Sequence, residues 1–120
     1  MLSATGKVTR FMADVEYYQV STTTDSEDAA AALARSAVEA RVAACGQVVG
    51  PINSVYWWEG KVDNSAEWLV LFKTAADRCD ALVEHVRGVH SYDVPEIICT
   101  PVTGGNPAYL TWVGEETRPR

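Results

Sequence analysis

Basic residues are few in this sequence: ten Lys and Arg stand against 16 Asp and Glu, a formal net charge of −6 with no basic block. Binding to a phosphate backbone needs clustered positive charge to displace counterions, so nucleic acid is not an expected partner. The same shortage disfavours an anionic membrane surface, and no apolar run reaches the roughly 20 residues that cross a bilayer. Cysteine is scarce too. Cys45, Cys79 and Cys99 are odd in number and widely spaced, which fits neither a disulfide framework nor a CxxC metal or redox site. Their apolar neighbours favour buried, reduced thiols. GxSxG, HExxH, P-loop and dinucleotide glycine motifs are all missing, so the chain is expected not to be an enzyme. Lys7 and Arg10 are not followed by the apolar core and cleavage site of a secretory signal, and the expected location is the cytoplasm.

What is present is one domain's worth of ordinary globular sequence, 120 residues of which 48% are hydrophobic. Residues 1–13 are polar and aperiodic and read as a flexible leader, 14–116 as the single domain and 117–120 as a flexible tail. The β-branched and aromatic run from Val15 to Thr22 reads as a strand. Thr24 with Glu27, and Asp25 with Asp28, resemble capping boxes that start a helix. Its apolar stripe of Ala30, Leu33, Ala34, Ala37, Val38 and Val42 carries it to about Ala44, with Gly46 as a left-handed cap. Two β-rich stretches follow, with Gly60 and Asp63 to Ser65 marking the hairpin turn and Pro51 expected at a bulge or an edge. Ala75 to His90 is helical, with Cys79, Leu82, Val83, Val86 and Val89 on one face. Val94 to Val102 is a strand punctuated by Pro95 and Pro101, and the segment around Tyr109 to Val113 is a final short helix.

The order is βαββαβ plus a C-terminal helical segment, an α+β fold of the ferredoxin-like type. Both helices of that fold cover one sheet face, so the other face should alternate with polar residues if it meets water. It does not. Trp68, Val70 and Phe72 occupy one face of a strand whose other face carries Leu69 and Leu71, and Val55 to Trp58 are apolar on both. Leaving that surface in water is costly at roughly 1.5–3 kcal/mol per large side chain, so a second copy of the chain is expected to cover it.

The blocks ARVAACGQV, SVYWWEGKV, EWLVLFKT, VHSYDVPEII and GNPAYLTWV, in that order from about Val15 to Val113, resemble the CutA family of divalent-cation tolerance proteins. The resemblance implies a homotrimer with its sheets packed around the three-fold axis, similar to the PII signal proteins, and a role in metal homeostasis with copper or another divalent metal as the ion bound. Family members place metal ligands at a first-strand Cys and a His pair. The corresponding residues here are Ser21, Val89 and His90, so His90 alone of that set is kept. His90, Asp93 and Glu96 put one imidazole and two carboxylates within seven residues and form the candidate metal site. Lys73, Tyr56, Trp57, Trp58, Tyr92, Tyr109 and Trp112 are the candidate residues of an inter-subunit cleft. Lys61 and Lys73 are expected to pair with Glu59 or Glu67 across strands. Two other roles remain open: a PII-like regulatory trimer with a small ligand or protein partner in its clefts, and a hydrolase of the acylphosphatase type, for which the phosphate-binding arginine after GQVVG is missing.

Overall fold

The structure is a computed structural model and describes residues 15–120. The leader expected at 1–13 lies outside the described residues. Strand β1 (Tyr17–Thr24), helix α1 (Glu27–Glu39), strands β2 (Cys45–Trp58) and β3 (Lys61–Ala75), a 3₁₀ turn (Ala76–Arg78), helix α2 (Cys79–Val89), strand β4 (Ile97–Val102) and helix α3 (Pro107–Glu116) follow one another along the chain. The strands form one antiparallel sheet in the order β2-β3-β1-β4. This is the ferredoxin-like order read from the sequence.

Helices α1 and α2 lie on the same side of the sheet. Val20 of β1 opposes Phe72 of β3, and both join Leu33, Ala37, Val70, Leu82 and Val86 in the buried core. The alanine stripe of α1 brings that helix close to β2. A Cβ added to Gly46 would stand 2.9 Å from the Cβ of Ala34, so glycine is required by contact, not by backbone angle. Gly46→Val is therefore expected to cost about 1–3 kcal/mol through overpacking, read as a lower denaturation midpoint at unchanged slope; an unchanged midpoint would refute the close contact.

That position corrects the sequence reading, which made Gly46 a helix cap. Helix α1 stops at Glu39, and the left-handed residue after it is Arg41, at φ 60°. Arg41 holds this strained conformation while its guanidinium pairs with Glu116 at 3.2 Å. The helix also starts on a different cap. Ser26 accepts from the Ala29 N–H, and neither Thr24 nor Asp25 does so, because Thr24 still belongs to β1 and donates its hydroxyl to the Ser26 carbonyl. The second helix is shorter than its apolar period, since residues 76–78 form a 3₁₀ turn, and β4 begins at Ile97 rather than Val94.

The hairpin turns at Glu59 and Gly60, both with positive φ, as a two-residue connection demands. Asp63 to Ser65 lie inside β3 instead. Pro51 sits where expected, at the irregularity between Val49 and Ile52 on edge strand β2, and Pro101 lies on the other edge strand. The segment expected as a free tail is anchored through Arg118: Thr117 is buried and bonded to the Val113 carbonyl, and Arg118 forms two hydrogen bonds to Asp77.

Candidate functional site

The period of two along β3 sends Glu67, Leu69, Leu71 and Lys73 to the face without α1 and α2. The register adds Cys45, Gln47, Val49 and Ile52 from β2, Ser21 and Thr23 from β1, and Ile98 from β4. Helix α3 caps one end of this open face, where Tyr109 lies 3.4 Å from the Cys45 sulfur and Gly114 lies against the Tyr17 ring. At the other end the β2–β3 hairpin runs past its neighbours. There Val55, Trp57, Trp58 and Val62 are 60–75% exposed.

His90 ends α2 near the last residues of β1. Its Nε2 lies 2.8 Å from the Thr23 carbonyl, and its Nδ1 lies 3.0 Å from the Tyr92 amide. A carbonyl can only accept and an amide N–H can only donate, so the ring is neutral with its proton on Nε2. Tyr92 then crosses the sheet end and donates its hydroxyl to Glu67 at 2.7 Å, with its ring 4.8 Å from that of His90. Burial and the Glu67 carboxylate push the Tyr92 hydroxyl well above its ordinary pKa, so it stays a donor at any physiological pH. Asp25 and Tyr56 act on the same hydroxyl, and Tyr56 bonds to Ser65 at 3.1 Å. Glu96 joins through its backbone, whose carbonyl accepts from Thr22.

The structure thus brings His90, Tyr92, Tyr56 and Glu67 to one end of the sheet. It does not bring the three metal candidates into a ligand set. Asp93 is exposed, Glu96 contributes a carbonyl, and no three His, Cys, Asp or Glu side chains converge among the described residues. Both nitrogens of His90 are already engaged, so a resident metal held tightly by one chain does not fit. Glu67 was read from the sequence only as an ion-pair partner; the signal for its role was a carboxylate two residues before Leu69, on the same face of the strand as Leu69 and Leu71.

The cleft candidates are divided as well. Lys73, Tyr109 and Trp112 lie at the α3 end, while Tyr56, Trp57 and Trp58 lie about ten residues further along the hairpin, roughly 33 Å at strand spacing. Lys73 donates to Gln47 at 2.7 Å instead of to a glutamate, and no lysine ion pair occurs among the described residues. Of the cysteines, Cys79 is buried, Cys45 is partly buried and Cys99 is exposed, so uniform burial does not hold.

The family model of the CutA1 divalent ion tolerance protein matches residues 18–116. The chain belongs to the CutA1 divalent ion tolerance family. A chloroplastic CutA 1 protein of Oryza sativa subsp. japonica is 43% identical over 97% of this chain and 66% of its own length. The divalent-cation tolerance protein CutA of Thermus thermophilus is 41% identical over 79% of this chain and 92% of its own length. The crystal structure of CutA1 from Oryza sativa superposes with a TM-score of 0.83 at 46% identity, covering 87% of this chain and 95% of that one. The chain spans about half to two thirds of the length of several curated CutA relatives. Among the described residues no helix is long and apolar enough to cross a membrane.

Proposed function

We propose that this CutA1-family chain works as a homotrimer that takes up divalent cations, copper foremost, weakly and reversibly as cargo, without catalysing a reaction. The observation that carries the reading is the open sheet face, where Leu69, Leu71, Val49, Ile52 and Ile98 lie together with no helix beyond α3 to cover them among the described residues. Three such faces packed around an axis would bury that surface and place three copies of the His90, Tyr92 and Glu67 cluster in one assembly.

The chemistry of the cluster supports weak capture over tight storage. Cu(II) takes imidazole and carboxylate ligands, but here the ion must displace either the Thr23 carbonyl or the Tyr92 amide from His90. Asp93 and Glu96 are exposed but do not converge with His90 into a ligand set among the described residues, which is a further reason to expect weak capture. Titration of Cu(II) into the purified chain, carrying Cys99→Ser to prevent thiol oxidation, is expected to give saturable binding with a Kd of about 1–100 μM, equivalent to roughly 5.5–8 kcal/mol. His90→Ala should weaken it at least tenfold. Absence of saturation below that limit, or an unchanged Kd in His90→Ala, would remove His90 as the cation's ligand.

A further inference from the structure

Cys79 opens α2 and is buried in the core, whereas Cys99 lies on edge strand β4 and is exposed. Cys99 pairs with Val20 in the register, which puts its side chain on the helix side of the sheet, facing α2. The two sulfurs are 3.3 Å apart, with the Cys79 thiol donating to Cys99. A disulfide needs about 2.05 Å, so the sulfurs must close by little more than about 1 Å. One of the two is open to a reagent and the other stands directly behind it.

We propose that Cys79 and Cys99 form a redox-active dithiol that exchanges with low-molecular-weight disulfides, and that oxidation links the first turn of α2 to edge strand β4. The exposed Cys99 reacts first. Its thiolate, having released its proton to solvent, attacks one sulfur of the small disulfide, whose S–S bond breaks and releases one thiolate. The resulting mixed disulfide on Cys99 is then attacked by Cys79, which loses its proton to solvent as the second small thiolate leaves. Two protein thiols give up two electrons and two protons, and the small disulfide is reduced to two thiols. Burial, together with the hydrogen bond to Cys99, pushes the Cys79 thiol up to about 12. Cys79 is therefore a poor first nucleophile, and its attack depends on proximity to Cys99. The third thiol, Cys45, is separate and lies against Tyr109 on the opposite face.

The test uses the full chain with Cys45→Ser, incubated with oxidised glutathione, denatured in N-ethylmaleimide and mapped by mass spectrometry. The expected product carries neither glutathione nor maleimide on Cys79 or Cys99, shows a peptide cross-link between them, melts at a higher temperature than the reduced chain and reverts with dithiothreitol. Adding Cys99→Ser should leave Cys79 reduced and fully alkylated, and adding Cys79→Ser should trap glutathione on Cys99. Because Cys79→Ser disturbs the core and the variant can fail to fold, the cross-link in the parent and the Cys99→Ser result decide the matter. Stable glutathione on Cys99 beside an alkylated Cys79 in the parent, or two thiols that both stay reduced, would overturn the proposal.

Discussion

Leu71→Asp is expected to convert the protein from three chain masses to one in sedimentation velocity at low micromolar concentration, while leaving the far-ultraviolet circular dichroism of the fold in place. Leu71 sits on the open face of β3 between Gln47 of β2 and Ser21 of β1 and is only partly buried in a single chain. An aspartate there can reach water in a monomer. In a trimer packed through this face, three carboxylates would be taken out of water near one another, at several kcal/mol each after relaxation, and the β3 cation nearest in sequence on that face, Lys73, already donates to Gln47. A wild-type chain that sediments as a monomer, or a Leu71→Asp chain that stays trimeric, would show that this face is not where copies meet.

The neighbouring residue is expected to behave in the opposite way. Phe72 points to the helix side, has no exposed surface and packs with Val20, Leu33, Val70 and Leu82 in the core. Phe72→Ala should cost about 3–5 kcal/mol, the lost transfer energy plus a cavity that the sheet and α1 cannot fully close. For a domain of this size that lowers Tm by roughly 12 °C or more. In the proposed trimer stability would depend on concentration, so variant and wild type must be compared at matched protomer concentration. The association state of the folded variant should be unchanged. A loss under about 1 kcal/mol would mean that the core repacks around the missing ring. Two adjacent residues of one strand thus separate stability from self-association, because successive side chains of a strand face opposite ways.

Reading the order of elements required only local information. The alternation in β1 and β3, the stripe of α1 and the glycine at the hairpin are short-range signals, and the topology follows from their order. Boundaries were harder. The apolar period of the first helix continues through Val42, but Val42 and Ala43 are buried beyond the helix end, so apolar spacing alone could not separate a helix from the loop that tucks under it. Gly46 carried two physically different uses of glycine, a left-handed cap or a close approach, and only the position of Ala34 decides for the second. His90 was visible as a candidate, but its partners were not. The Thr23 carbonyl lies 67 residues away in sequence, and no local pattern marks a backbone acceptor at that distance.

By itself the sequence determined the fold class, the family and the presence of apolar residues on both faces of the sheet, because periodicity, turn chemistry and block order are written in neighbouring residues. Tertiary structure decided which groups meet: the neutral His90 held from both sides, Tyr92 on Glu67, Lys73 on Gln47, and two cysteines 20 residues apart brought into sulfur contact. Those meetings depend on the register of strands and the docking of helices, long-range properties that no local pattern encodes.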